Sequence, residues 1–361
     1  KPADDADDDD TPERVGRRVQ KIVWSDGIRA LVRLSDGASD KTSEQVALAL
    51  RQMSEVQEVR GSLVQQGALR ACIDIQSSDK SSTKSIREAG WCIAKILVTT
   101  DPHALTDSQL MSSIAPLLKL CNEHKAEDLA HFEGLMALTN VASVKAETKS
   151  RIASLKGIRT IEYLQFDDNH MVRRAATECL TNMLPHESML THLKNPEKLK
   201  LWCALAEDYE ADLHTARAAA GTLAMASGTD DEELVDALLE GKTLEVFVDL
   251  IGSSSNPELV HRGACGVLNL ALVTKAVGKL KSAKVLEALE SVKSKYTKKT
   301  GSSKKNRKKG STKVPEEWLG ASSAVDDALE TLKQAFSEDA TDALDSTPVL
   351  EPIAADGSYE M

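Results

Sequence analysis

A helical pattern that recurs about every 43 residues constrains this chain more than any other feature of its sequence. It is clearest in His170–Pro185, where small and apolar side chains recur three or four residues apart and Pro185 ends the pattern. In each copy, an anchor residue follows a small or apolar residue by six positions and a second apolar residue by two. The anchors are Gln52, Lys95, Asn140, Asn182, Met225 and Asn269, separated by 43, 45, 42, 43 and 44 residues.

Each patterned helix follows another amphipathic segment, such as Ile114–Cys121 or Leu244–Ile251, and polar residues separate the two. Such a pair buries its apolar face only against neighbouring copies, so several copies must stack. A period in the low forties with two or three helices per copy is typical of the armadillo and HEAT classes. The sequence therefore predicts an all-α, armadillo/HEAT-like right-handed solenoid of about six repeats with disordered ends.

Charge separates the ends of the chain from this repeated body. Residues 1–12 contain six Asp, residues 293–314 contain ten Lys or Arg and no acid, and residues 315–361 contain twelve Asp or Glu. Strongly charged segments with few apolar residues do not bury enough surface to fold. The predicted domains are a disordered acidic segment (1–12), an armadillo-repeat domain (13–292), a basic flexible linker (293–314), a short amphipathic helix (315–336) and a disordered acidic tail (337–361).

Two of these terminal segments have more than one interpretation. The helix in 315–336 either covers the apolar end of the last repeat or occupies a groove, because the ends of a repeat array need covering. The basic run at 304–309 is favoured as a solvated linker on its composition. A nuclear-localisation-like peptide and a weak contact with nucleic acid or another acidic surface are its alternatives.

Four stretches of the repeated body resemble a known family. They are HFEGLMALTNVAS (131–143), HMVRRAATECLTNM (170–183), ARAAAGTLAMASG (216–228) and HRGACGVLNLA (261–271). They resemble the UCS family of armadillo-repeat chaperones dedicated to myosin motor domains, over about residues 20–280. The string RRAATEC at 173–179 is the most specific part, since generic armadillo helices do not require it.

The resemblance implies an ATP-independent, cytoplasmic clamp that holds an unfolded or partly folded myosin head and works beside Hsp90. The expected partners are therefore the myosin motor domain and Hsp90, with neither nucleic acid nor membrane. Animal members also carry an amino-terminal TPR domain for Hsp90 and a central helical domain, and this sequence shows neither. The alternative function is a general armadillo scaffold that binds another protein or an extended peptide.

Candidate client-binding residues lie on the last helix of each repeat, which lines the groove in armadillo proteins. Asn side chains can bond the backbone of an extended polypeptide, and Met and Phe offer adaptable apolar contact. The candidates are Trp91, Phe132, Met136, Asn140, Arg174, Glu178, Asn182, Arg217, His261 and Asn269. As an alternative, the Asn residues cap a loop or bond a neighbouring repeat, and Arg174 or Glu178 forms ion pairs between repeats.

Several other classes of protein fit the sequence poorly. Importin-like receptors pair Trp with Asn four residues later, whereas Trp91 is followed by Lys95. No HExxH, phosphate-binding GxxxxGK[ST] or GxSxG pattern occurs, so we expect no enzyme, no metal and no cofactor. An enzyme regulated through this surface is a third, weaker possibility. The six scattered cysteines, without a CxxC pair, are expected to be reduced core residues of a cytosolic protein.

Overall fold

The computed structural model describes residues 11–252, 255–301 and 314–337, and of residues 297–301 it describes the backbone. Within these ranges the chain forms twenty α-helices, four 3₁₀ helices and no strand. The all-α prediction is therefore confirmed. The described residues form two compact units that divide between Met183 and Leu184, and each unit is described by itself.

The first unit contains eleven α-helices and two 3₁₀ helices. The α-helices are α1 (Pro12–Trp24), α2 (Gly27–Ser35), α3 (Asp40–Ser54), α4 (Arg60–Gln65), α5 (Ala68–Ser77), α6 (Thr83–Thr99), α7 (Asp107–Cys121), α8 (Asp128–Val144), α9 (Ala146–Ser154), α10 (Gly157–Leu164) and α11 (His170–Asn182). The 3₁₀ helices are Gln57–Val59 and Pro102–Ala104.

The second unit contains the remaining nine α-helices. They are α12 (Glu187–Lys194), α13 (Pro196–Glu207), α14 (Leu213–Ala226), α15 (Glu232–Glu240), α16 (Thr243–Gly252), α17 (Pro257–Ala271), α18 (Val277–Ser282), α19 (Val285–Gly301) and α20 (Leu319–Phe336). The 3₁₀ helices Thr274–Ala276 and Glu316–Trp318 precede α18 and α20.

Within each unit, equivalent helices of successive repeats stack in two layers. The long last helix of every repeat, called here the third helix, packs on the third helix of the next repeat. These pairs are α3–α6, α6–α8 and α8–α11 in the first unit and α14–α17 and α17–α20 in the second. The preceding helices stack likewise as α2–α5, α5–α7 and α7–α10, and as α13–α16 and α16–α19. This is the armadillo arrangement of helices that the repeat frame predicted.

The corner before the second helix of a repeat has a recurring backbone conformation. Asp26, Gly67, Lys156 and Lys284 adopt φ values of 57°, 91°, 61° and 56°, each just before α2, α5, α10 or α19. Glycine adopts this left-handed conformation without strain, whereas other residues adopt it at a cost of about 1–2 kcal/mol each. The same corner conformation therefore recurs at four repeats, with different residue types.

Small residues in the third helices allow large neighbours to approach. In α17, a Cβ at Gly263 would lie 3.0 Å from Ile251 Cγ1, and a Cβ at Gly266 would overlap the Phe247 ring. Phe247 is completely buried, and the lack of a side chain at these glycines of α17 leaves room for its ring. The small residues of the sequence frame are therefore contact points between the two layers of helices.

All six cysteines are free and buried within the described residues, as expected for reduced core residues. Burial raises the pKa of Cys203 to about 11 and that of Cys179 to about 12. The reactive thiolate form is therefore suppressed at neutral pH.

The ends of the repeated body differ from the prediction. Helix α19 continues to Gly301, so 293–301 is helical and not linker. Its buried stripe of Val285, Leu289, Val292 and Tyr296 accounts for the continuation as far as Tyr296. Residues 302–313, together with 1–10 and 338–361 of the predicted disordered segments 1–12 and 337–361, lie outside the described residues. At the amino end, α1 begins at Pro12 with Thr11 as its cap, inside the predicted disordered segment.

The predicted short helix corresponds to α20 and takes the place of a third helix. It packs on α17 as α17 packs on α14, and on α19 as α17 packs on α16. Lys293 and Lys333 form ion pairs with Asp326 and Glu290, at 2.5 and 3.1 Å, and join α19 to α20. The described chain therefore has seven third helices, one more than the sequence frame identified.

Among the described residues, no single helix combines the length and apolarity needed to cross a membrane. Only Pro257–Ala271 taken together with Thr274–Ser282, a pair bent by 112°, passes a test of length and composition.

The packing of α20 predicts that it is an integral part of the second unit. Leu332 is fully buried in α20, so Leu332→Ala should lower the free energy of unfolding by about 2–5 kcal/mol in urea titrations of the full chain. Leu319→Ala, at a position 53% exposed on the same helix, should change it by less than about 0.5 kcal/mol. An unchanged transition in the Leu332 variant would show that α20 is a detachable element.

Candidate functional site

Side-chain amides of the third helices bond the preceding third helix. The three Asn anchors each donate from Nδ2 to a backbone carbonyl one repeat earlier. The bonds run from Asn140 to Leu97 O and Val98 O (both 3.1 Å), from Asn182 to Thr139 O (3.2 Å) and from Asn269 to Ala224 O (2.9 Å). Since the partners are acceptors, the amide nitrogen and not the oxygen must face them. The Asn side chains therefore bond a neighbouring repeat, as in the alternative interpretation.

Three of the accepting carbonyls lie where a helix needs outside partners. Leu97 and Val98 are in the last turn of α6, and Ala224 is in the last turn of α14. The last four carbonyls of a helix have no partner within it. The amide of Asn140 satisfies two such groups, and the amide of Asn269 shares Ala224 O with the Ser227 hydroxyl; each amide thereby joins two repeats.

The oxygens of the same three amides point elsewhere. Among the described residues, nothing donates a hydrogen bond to Oδ1 of Asn140, Asn182 or Asn269. None of these oxygens is among the buried unpartnered atoms, so each is open to solvent. Each amide therefore uses its nitrogen within the fold, and its oxygen accepts no hydrogen bond from the described residues.

Trp91 lies in a network of charged side chains and is only 6% exposed. Its Nε1 donates to Glu133 Oε2 at 2.5 Å, and the Arg51 Cζ and Lys95 Nζ atoms lie 4.5 and 5.3 Å from its ring centroid. Lys95 Nζ also bridges Glu55 and Glu133, at 2.9 and 3.0 Å. The indole is enclosed by neighbouring repeats, so little of it is left for the client contact that the sequence predicted.

The network holds three consecutive third helices together. Arg51 belongs to α3, Lys95 to α6 and Glu133 to α8, and the Lys95 side chain is only 3% exposed. A buried ion whose partner is removed becomes costly, about 3–5 kcal/mol in measured cases. We therefore assign these groups a structural part in the first unit.

Phe132 and Met136 form a half-buried apolar stripe on α8. They are four residues apart, and Asn140 follows after another four, so all three share one face of the helix. The sequence proposed these residues for a client contact, and their half-burial leaves part of their surface exposed.

Arg174 and Glu178 form an ion pair along α11. Arg174 Nε lies 2.7 Å from Glu178 Oε1, and both side chains are about one third exposed, at 38% and 28%. The alternative interpretation expected ion pairs between repeats, whereas this pair lies within one helix. An exposed pair of this kind contributes little stability, about 0.3–0.5 kcal/mol, and both groups stay accessible to a ligand.

The two candidates at the start of the third helices in the second unit have neighbours within the fold. Arg217 of α14 forms an ion pair with Glu258 of α17. His261 lies 3.6 Å from Cys265 Sγ through its Nε2, and the first turn of α20 lies beside its ring. Burial lowers the pKa of His261 and the charge of Arg262 lowers it further, while Glu258 raises it.

Sequence reasoning overlooked Arg262, which lies over the buried Gly221 of the preceding third helix. The repeat register could have identified it, because it stands seven residues before the anchor Asn269. Glu88 and Glu133 hold the same position relative to Lys95 and Asn140. Among the described residues, no group of three or more His, Cys, Asp or Glu is arranged to hold a metal ion.

Comparison with known proteins gives sequence relatives and structural neighbours. No protein-family profile matches the chain. Protein unc-45 homolog B of Xenopus laevis is 29% identical over 293 residues, which are 78% of this chain and 31% of that protein. UNC-45 from Drosophila melanogaster has a TM-score of 0.73 at 25% identity, covering 92% of this chain and 40% of that one. This chain thus spans about a third of the length of the curated relatives that it matches.

Two further structural neighbours share the fold of this chain but differ in their sequence identity to it. The myosin chaperone UNC-45 from C. elegans, in complex with a Hsp90 peptide, has a TM-score of 0.66 at 25% identity and covers 87% of this chain and 33% of that one. A designed armadillo repeat protein has a TM-score of 0.54 at 18% identity, covering 73% of this chain and 99% of that one, and supports the fold alone.

The stacked third helices define an armadillo-like repeat protein. Within that class, the matches to UNC-45 in sequence and structure confirm the resemblance to the UCS family.

The hydrogen bonds from Asn side chains to the preceding third helix predict that removal of an amide lowers stability. Asn140→Ala should lower the free energy of unfolding by about 1–3 kcal/mol, because two carbonyls lose their donor. Asn140→Asp should cost more, since a carboxylate would face two carbonyl oxygens. Urea titration measures both, with Asn122→Ala, at an exposed position, as the control. Equal stability of all variants would remove the structural role of the amide.

His261 predicts a pH dependence. Its pKa in the folded chain lies below the ordinary 6.5, so the unfolded chain takes up a proton first as the pH falls. Stability should therefore decline through pH 6.5 and level off below the folded pKa. The charged groups around it are Arg262 and Glu258 on α17 and, near Cys265, Asp327 on α20.

Urea titrations at several pH values below neutrality measure this effect. His261→Gln should lose less stability on acidification than the wild type. His124→Gln, at an exposed position, should keep the wild-type slope. Identical slopes for the wild type and His261→Gln would contradict the prediction.

Proposed function

We propose that this chain is the client-holding part of a myosin-directed chaperone. It binds an unfolded or partly folded myosin motor domain along its third helices and hydrolyses no ATP. It works beside Hsp90 in the cytoplasm. The observation that carries the proposal is the match to UNC-45 over 92% of this chain at a TM-score of 0.73. A related structure is that of a myosin chaperone with a Hsp90 peptide, which supports both expected partners.

The third helices offer suitable chemistry for a client without a fixed fold. The open Oδ1 atoms of Asn140, Asn182 and Asn269 can accept backbone N–H groups, which every extended segment presents. Because backbone groups do not depend on sequence, this contact gives affinity with little sequence preference.

The apolar contribution comes from Phe132 and Met136 on the same face of α8 as Asn140. Methionine adapts to irregular partners because its side chain is unbranched and polarisable. The accessible Arg174–Glu178 pair on α11 adds charged groups of both signs. Trp91 supports this surface from within, through its contacts with Glu133 and Arg51.

The experiment is suppression of heat aggregation of a purified myosin motor fragment, followed by light scattering. The wild-type chain at several-fold excess should suppress aggregation equally with and without ATP. The double variant Phe132→Ser/Met136→Ser should suppress it at least several-fold less efficiently. Both positions are half-buried, so circular dichroism should show an unchanged helical content.

A designed armadillo repeat protein is the matched control for the fold, since it shares the architecture at 18% identity. It should leave the motor fragment unprotected. Equal protection by the control and by this chain would reduce the effect to a general property of the fold. Absence of protection by the wild type, with a general chaperone active in parallel, would contradict the proposal.

A further inference from the structure

One position of the repeat is acidic in two third helices of the first unit and basic in one third helix of the second, while Ala175 and Ala218 hold it in α11 and α14. Seven residues before the anchor, the first unit has Glu88 in α6 and Glu133 in α8. In the second unit, the same position of α17 is Arg262. Side chains at this position face the preceding third helix, as Glu133 faces Trp91 and Arg262 faces Gly221.

The acidic residues of the first unit are neutralised inside the fold. Glu88 Oε2 lies 2.5 Å from Arg51 Nε, and Glu133 Oε1 lies 3.0 Å from Lys95 Nζ. These groups satisfy one another, so the position offers no uncompensated charge to a ligand.

Arg262 has no such partner. Among the described residues, its guanidinium forms neither an ion pair nor a hydrogen bond. Its nitrogens are absent from the buried unpartnered atoms, so they are open to solvent although the residue is half-buried. The nearest carboxylate on its own helix, Glu258, is bound by Arg217.

The Arg262 guanidinium lies flat against Gly221. A Cβ at Gly221 would lie 3.2, 3.4 and 3.5 Å from Nη1, Cζ and Nε of Arg262, so one face of the group rests on the helix. The donors of a guanidinium lie in its plane, and a group seated on its face directs them along the surface. Such a pre-oriented fork matches the two oxygens of a carboxylate.

We propose that Arg262 is a recognition residue for a carboxylate in an acidic, extended segment of the client. This inference rests on the proposed function, and it specifies the chemistry of the segment held at α14 and α17. His261 beside Arg262 favours its neutral form and adds a polar contact without charge. The partner of the open cation is therefore an acidic peptide rather than a basic one.

The test measures binding of a fluorescein-labelled peptide of alternating glutamate and serine to the full chain, by anisotropy at low salt. A glutamine–serine peptide of equal length is the neutral probe. Arg262→Ala should weaken binding of the acidic peptide about tenfold or more, as expected for a charge-assisted bidentate contact. Binding of the neutral peptide should stay within about twofold.

Two variants separate the planar fork from plain charge. Arg262→Lys keeps the charge but lacks the fork, so it should recover only part of the affinity. Arg33→Ala removes an exposed arginine of α2 and should leave binding unchanged. Equal losses from Arg33→Ala and Arg262→Ala, or unchanged binding in Arg262→Ala, would overturn the assignment.

The motor-fragment assay distinguishes the two proposals. If the wild type protects the motor fragment, and Arg262→Ala protects it and binds the acidic peptide equally well, the proposed function stands. The part assigned to Arg262 is then refuted. If the wild type gives no protection of the motor fragment while the peptide results are as expected, the proposed function is refuted. Circular dichroism of every variant verifies that helical content is unchanged.

Discussion

Hydrogen bonds between neighbouring third helices hold each unit in register, and most other features depend on that register. In a repeat array each copy contacts only its neighbours, so no distant packing compensates for a weak interface. Apolar packing alone is tolerant of sliding along a helix. The amides of Asn140 and Asn269 add direction, since each must reach a carbonyl in the last turn of the preceding helix. The same bonds fix which side chains of adjacent repeats meet, including Trp91 with Glu133.

The fold was largely predictable because its determinants are periodic. Small and apolar residues at fixed spacing are required wherever two helices approach closely, as at Gly263 and Gly266 around Phe247. Helix α20 was predicted, but its place as a seventh third helix was not, because a basic insertion after Gly301 interrupts the repeat spacing. The extension of α19 was visible in principle, since Val292 and Tyr296 continue its buried stripe through the lysines. The prediction of a linker from residue 293 gave more weight to charge than to periodicity, and it was wrong for residues 293–301.

The candidate site was predicted less completely, because spacing along one helix identifies a face but not its partners. Phe132, Met136 and Asn140 share a face for local reasons. Trp91 is enclosed by Glu133, which is 42 residues away, and by Arg51, which is 40 residues away. Such contacts follow from the register between repeats. Residues about one repeat period before and after Trp91 in the sequence would therefore have been the ones to consider as its neighbours.

Charge compensation then separates structural from accessible positions. In the first unit, Glu88 and Glu133 lie against bases of the fold, and their charges strengthen the stack. In the second unit, Gly221 removes the side chain that would oppose Arg262, and no described acid replaces it. A half-buried cation without a partner contributes nothing to the stack through pairing, while an incoming carboxylate finds it already oriented. The same repeat position therefore stabilises one unit and can select a ligand in the other.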